Sequence, residues 1–373
     1  MAGLDSAHPA HDLLIYLLYV AATAILLQTQ EIPTSLSSEQ AIMRNSDKVF
    51  STEMNYYDRQ LRLQAIEELQ PEIIVYGNSW VNQFRAGMFA PYGFYNCANQ
   101  SLKLNSAKSF ITDAKRINPN LKIAIIMLHP WHFRAETHKL SAYRSTFQSF
   151  PKPSYNQYVR LLERKNLYEM LTRLDTTRTI GIRAIRLTRG MRLSDGSITF
   201  GSDHQRTSSK HAIKEGHLRT RLSYNIKKKK GYFPGMDQPI DERNIELIKS
   251  VTADLIAHGI APIYLIPPIH DEFIAVMNGD SVAFQLWHEL KTAEVQDRLN
   301  EIAPTYDYSE FSSFDGTTDM TYDGWHSTEL AAHLMVEHMK EDDRSPDLIR
   351  SVPAIPLDTI QSWYPTPVYS YYD

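Results

Sequence analysis

Cysteine is nearly absent from this chain. Cys97 is the only one in 373 residues, so no internal disulfide forms and no thiol metal cluster can be built within one chain. It sits in the apolar, aromatic run Phe94-Tyr95-Asn96-Cys97-Ala98, where a core position is expected rather than a reactive thiol. A large excess of one charge is absent as well. The 39 Lys and Arg against 43 Asp and Glu leave a formal net charge of −4, which gives no global argument for nucleic acid or a polyanion. A full-length membrane run is also missing. Leu13 to Leu27 (LLIYLLYVAATAILL) is uncharged for fifteen residues, whereas a spanning helix takes roughly 17–25. Gln28, Thr29 and Gln30 can occupy the interface, so residues 1–30 read as an N-terminal hydrophobic helix that anchors the chain. A signal peptide and a buried core helix are the alternatives. No Lys or Arg precedes the run and no A-x-A site follows it, which argues against the signal peptide.

What is present has an alternating pattern. Residues 31–54 are polar and read as a linker or stalk. From Tyr56 a helical period sets in with Leu61, Leu63, Ile66 and Leu69. Glu72 to Tyr76 is a short β-branched and aromatic run bounded by Pro71 and Gly77, the pattern of a buried strand. Gly93–Ala98, Leu121–Leu128, Pro262–Ile266 and Tyr306–Ser309 are further candidate strands. Ser106–Ile117, Ile240–His258, Val282–Ile302 and Ser327–Lys340 are candidate helices, the last capped by Ser327 or Thr328. Strands alternating with helices predict an α/β fold with a central, mostly parallel sheet covered on both faces. The expected domain spans 55–343, and 344–373 is a Pro- and aromatic-rich tail.

Residues 151–239 break this rhythm. Arg and Lys crowd residues 178–230, ending in Lys227 to Lys230, with few acids to balance them. The plain reading is a solvated basic insertion. The functional one is a surface for anionic lipid headgroups or an anionic glycan. No nucleic-acid-binding module is recognisable there, so no nucleic-acid partner is expected.

Two short blocks carry the chemistry. In Tyr76-Gly77-Asn78-Ser79-Trp80 a serine directly follows a predicted strand. It therefore stands at the carboxyl edge of the sheet, where open α/β folds bind ligands. Gly77 permits a sharp turn and Asn78 can brace it. A helix starting near Trp80 would favour an oxyanion beside Ser79. In Tyr322-Asp323-Gly324-Trp325-His326 a D-x-x-H pair precedes the last helix. Serine needs a base to take its proton, and histidine can serve, with a carboxylate to hold its tautomer. Each block alone is a weak signal, with an N-cap serine and a surface histidine as the plain readings.

Taken in order, strand-G-x-S first and D-x-x-H last, the two blocks resemble those of the SGNH, or GDSL-like, hydrolase superfamily. The resemblance covers roughly residues 72–340. It implies a flavodoxin-like three-layer sandwich and makes Ser79 the nucleophile, His326 the base and Asp323 its orienter. It implies a serine esterase or acyltransferase that works through an acyl-serine, with no cofactor and no metal. Gly77, Asn78, Asn96, Asn99, Gln100, His129, His132 and Trp325 are then expected around the oxyanion hole and pocket. Two departures stand out. The stretch from Tyr95 to Ser101 lacks the family's oxyanion glycine, and Leu128-His129-Pro130-Trp131-His132-Phe133 lacks its asparagine. With the N-terminal anchor, these look similar to membrane-anchored SGNH-like proteins of cell-envelope polymer acylation, such as the D-alanyl transfer and alginate O-acetylation proteins. That likeness implies an acylated envelope glycan or related polymer as substrate and a membrane-bound O-acyltransferase as partner. It also implies a catalytic domain held outside the cytoplasm. A catalytically degenerate SGNH-fold protein that binds a glycan or such a partner is the alternative. The histidines at strand ends, His129, His132 and His270, read first as structural, and a metal bound by the three is the lesser reading.

Overall fold

Short runs of β-branched and aromatic residues that bury on both faces suit a parallel sheet, and three strands here are buried throughout. The structure is a computed structural model that describes residues 49–50, 58–98, 103–135, 179–180, 190–199, 235–321, 326–356 and 358–359. Strands β1 (Ile73–Tyr76), β2 (Phe94–Cys97), β3 (Ile123–Met127), β4 (Ala261–Ile266) and β5 (Thr305–Asp307) form a five-stranded sheet in the order β2-β1-β3-β4-β5. Every pairing is parallel. All residues of β1, β2 and β3 are buried, the polar Asn96 of β2 among them. Cys97 is fully buried in β2, as its neighbours suggested.

Helices α1 (Asp58–Leu69), α2 (Leu104–Ile117), α3 (Glu242–Ala257), α4 (Asp271–Asn278), α5 (Gln285–Leu290), α6 (Ala293–Ile302), α7 (Glu329–Glu341) and α8 (Asp347–Arg350) connect or flank the strands. They form a row of neighbours in which α1 packs on α2, α2 on α3 and α3 on α6. In α3 the buried Ile245, Ile248, Val251 and Leu255 repeat at helical spacing, and Asp241 caps the start by accepting the Arg243 N–H at 3.1 Å. Thr328 caps α7 by accepting the Ala331 N–H, which decides between the two expected caps.

Two expectations are corrected. The single helix expected over Val282–Ile302 is two, α5 and α6, because Thr292 starts a new N-terminus by accepting the Val295 N–H. Val282 itself is exposed and belongs to neither. The helix α4 was not anticipated. His270 caps it, its Nδ1 accepting the Glu272 N–H at 3.2 Å.

The chain divides into two compact units. The sheet above belongs to the one built from residues 58–147, 195–198 and 204–373. The other takes residues 1–57, 148–194 and 199–203. In it the strand Val49–Phe50 runs parallel to Thr179–Ile180 and antiparallel to Gly190–Arg192. Among the described residues no helix is long and apolar enough to cross a membrane. The expected hydrophobic helix at 13–27, most of the basic insertion and most of the C-terminal tail lie outside the described residues.

Asp195–Ile198, which falls inside the predicted solvated insertion, is instead buried in the sheet-bearing unit. The Asn96 N–H donates to the Asp195 carbonyl at 2.7 Å, beyond the open edge of β2. The Asp195 carboxylate takes the Arg85 guanidinium at 2.7 Å and the Ser197 hydroxyl at 2.6 Å. Ile198 N–H donates to the Asn82 carbonyl at 3.0 Å. The fully buried Arg62 donates to the carbonyls of Asn96 and Gly196. The abundance of Arg and Lys in the flanking sequence hid this apolar and turn-forming tetrapeptide.

Candidate active site

The carboxyl ends of β1 and β3 lie side by side where the strand order reverses, the position at which open α/β sheets form a crevice. Tyr76 pairs with Ile126 across these strands. Ser79 stands three residues beyond the first and His129 three beyond the second, so both follow strand ends at the same edge of the sheet.

Gly77 allows the β1 strand to turn so close to β3. A Cβ on it would lie 2.9 Å from Met127 Cβ and 2.9 Å from Val81 Cγ2, inside van der Waals contact on two sides. After it, Ser79–Val81 forms a single 3₁₀ turn. Asn78 caps that turn, its Oδ1 accepting the Trp80 N–H at 2.9 Å. The sequence suggested that the N–H groups at this helix start would face an oxyanion. The Trp80 N–H is already engaged by Asn78, whereas the Ser79 N–H has no acceptor among the described residues.

Asn96, expected at the pocket, supports the loop from within β2. Its amide donates to the Val81 carbonyl at 2.8 Å and the Phe84 carbonyl at 3.0 Å, and its Oδ1 accepts the Ala98 N–H at 2.8 Å. Its side chain is fully buried and its three hydrogen bonds are all to backbone, so it fixes the segment that follows Ser79.

The two ends of the domain meet at Ser79. His326 Nε2 lies 2.8 Å from Ser79 Oγ, across 247 residues of sequence. With Nε2 accepting the hydroxyl proton, Nδ1 carries the ring N–H. Two contacts hold His326 in place. Thr321 and Ser327 form an antiparallel bridge, and the Thr328 N–H donates to the Met320 carbonyl at 2.9 Å. Helix α7 begins immediately afterwards. Asp323 and Trp325, and likewise Asn99 and Gln100, lie outside the described residues.

Behind Ser79 stands an aromatic cage that the sequence did not reveal. His129 stacks on Trp131 with ring centroids 3.6 Å apart, and the Trp80 ring meets it edge-on at 4.2 Å. The pairing of tryptophans in N-S-W and H-P-W was a signal in the sequence, but each reads equally well as ordinary core. His129 is fully buried, and among the described residues neither ring nitrogen has a hydrogen-bond partner. Burial holds its pKa well below the usual histidine value, and the nearby His132 and His326 push it further down. His129 is therefore a neutral imidazole at neutral pH. His132, also buried, accepts the His129 main-chain N–H at Nδ1 (2.9 Å), so its own proton sits on Nε2. His270 is drawn away to cap α4, and among the described residues no three His, Cys, Asp or Glu side chains converge as a metal site.

The arrangement can thus move a proton from a serine hydroxyl to an imidazole at the crevice of an α/β sheet. No protein-family model matches the chain, and no curated protein matches it in sequence.

Proposed function

We propose that the chain is an SGNH-type serine esterase or O-acyltransferase acting through an acyl-Ser79 intermediate. The observation that carries this reading is the 2.8 Å contact between Ser79 Oγ and His326 Nε2. Hydrogen-bond reach between nucleophile and base is the first geometric demand of nucleophilic catalysis. The strand order β2-β1-β3-β4-β5, which is that of flavodoxin-like doubly wound folds, supports the same reading. So does the position of Ser79 at the β1/β3 crevice.

In this reading Ser79 Oγ attacks the carbonyl carbon of an ester while its proton passes to His326 Nε2. The tetrahedral adduct collapses to acyl-Ser79, and His326 returns the proton to the departing alcohol oxygen. Water or a sugar hydroxyl then gives its proton to His326 and attacks the acyl carbon, and His326 returns that proton to Ser79 Oγ as it leaves. Asp323 is the residue proposed to hold His326 Nδ1–H. The substrate class proposed is an O-acylated cell-envelope glycan or related polymer, handled beside a membrane-bound O-acyltransferase at the outer face of a membrane. Anionic lipid or glycan contact by residues 178–230 belongs to the same proposal.

One observation favours a second reading. The Asn78 side chain already holds the Trp80 N–H, and loss of one oxyanion donor can cost about 10²–10³ in rate. A non-catalytic binding protein on the same scaffold would tolerate that loss. Fluorophosphonate labelling of the full-length chain separates the two. Covalent labelling of the wild type, absent in Ser79→Ala and His326→Ala, is the expected result. A folded wild type that stays unlabelled selects the binding protein.

A further inference from the structure

If Ser79 is acylated as proposed, a tetrahedral oxyanion forms beside it, and its negative charge needs hydrogen-bond donors. The Ser79 N–H is one. The Trp80 N–H is engaged by Asn78, and the Asn96 amide is engaged by two loop carbonyls. His129 is different. It follows β3 at the sheet edge that also carries Ser79, and its ring stacks on Trp131 and meets the Trp80 ring edge-on. It is buried, and among the described residues both ring nitrogens are without a partner.

Leaving a buried polar group without a partner costs about 1–3 kcal/mol. An apolar ring would fill an aromatic cage of this kind without that cost, so packing alone does not account for an imidazole. Folds keep such groups where a ligand or reacting atom completes them.

We propose that His129 is the second oxyanion donor of this site, a neutral imidazole whose ring N–H receives the carbonyl oxygen of the acyl group being transferred to or from Ser79. The inference rests on the serine-hydrolase reading above. In the resting chain the ring is closed to solvent, and in the proposal the oxygen reaches it as Ser79 bonds the acyl carbon. The donor is then met in the tetrahedral adduct rather than by free substrate, which is where a donor accelerates the chemical step. A neutral donor suits this task. It brings no net positive charge next to His326, which must itself become cationic as it takes the serine proton. Burial and the two neighbouring histidines keep it in that state.

The test compares His129→Asn with His129→Leu in the full-length chain. The two side chains are close in size and leave a similar void, but only asparagine donates. The readouts are the second-order rate constant of fluorophosphonate labelling and the thermal unfolding midpoint. A packing role favours leucine in both, because the cage is aromatic. A donor role separates them, with leucine at least as stable and asparagine more reactive. The expected result is a loss of about 10²–10³ in labelling rate for His129→Leu and at least a tenfold recovery for His129→Asn. His129→Phe repeats the donor-free arm should leucine fail to fold. Equal rates for wild type and a folded donor-free variant overturn the role of His129 while leaving the serine reading intact. Equal slowing by leucine and asparagine does the same. A wild type with no Ser79-dependent labelling overturns both.

Discussion

At the scale of single residues, the candidate site depends on how closely two strand ends approach. Gly77 is the point of closest approach, with Met127 on one side and Val81 on the other. The obstructing atoms are a Cβ and a branched methyl carbon, neither of which can swing away as the end of a long side chain would. Gly77→Ala should therefore push β1 from β3 or unwind the Ser79–Val81 turn. A destabilisation of about 1–3 kcal/mol is expected from overpacking of this kind. Because the same shift moves Ser79 Oγ from His326, labelling should slow more than stability alone predicts. Urea unfolding and labelling rates on one preparation check both. An unchanged rate with lowered stability would mean the turn adapts without moving the serine. The sharp turn that the sequence suggested for this glycine is only part of its role. The other part is the space it leaves between Met127 and Val81.

At the scale of elements, the sheet was legible because buried parallel strands are written as unbroken apolar runs. Ile73–Tyr76 and Ile123–Met127 fall inside the predicted stretches. The two blocks of chemistry were legible in part. Ser79 and His326 were picked by residue type and position beside a strand and a helix, and they are in contact. Asn96 was expected at the pocket, and its sequence context does not say that its amide supports the loop after Ser79. The break between α5 and α6 was missed because the apolar period runs on through it, while a single threonine cap decides the boundary. Least legible was Asp195–Ile198. Its partners, Asn96, Arg85, Asn82 and Arg62, are about a hundred residues away or more. Gly196 is the demanding position in this segment. It has φ of +72°, and a Cβ would collide with the Asn96 carbonyl and lie 2.7 Å from Tyr95 Cζ. Gly196→Ala therefore combines a left-handed backbone with a clash against a fixed strand. It should lower stability by about 2–4 kcal/mol. It should also expose the edge of β2, seen as faster amide exchange at Asn96 than at Ile125 in the sheet interior. Wild-type exchange at Asn96 would show that the segment is not what protects that edge.

At the scale of the whole molecule, the buried histidines tie the fold to pH. His129, His270 and His333 all have their pKa lowered, in each case first by burial. The unfolded chain binds protons at these positions near pH 6.5, whereas the folded chain does not until a lower pH. Below about pH 6.5 the unfolded state therefore holds more protons, and stability falls as pH falls. Above that pH the contribution is fully present. A histidine that stays neutral in the fold contributes a slope of about 1.4 kcal/mol per pH unit until its folded pKa is reached. Glu242 and Asp342, whose pKa values are lowered by hydrogen bonds from Arg298 and Arg344, act in the same direction but only in the more acid range where carboxylates titrate. Between pH 6.5 and 5.5 the histidines are the groups that matter. Urea unfolding at pH 7.5, 6.5 and 5.5 should show little change over the first step and a clear loss over the second. His129→Asn should reduce that loss by up to about 1 kcal/mol, because its buried imidazole then no longer resists protonation. A wild type equally stable at pH 6.5 and 5.5 would mean that His129 takes up its proton without opening the fold. It would then carry positive charge beside His326, where a base must be free to accept one.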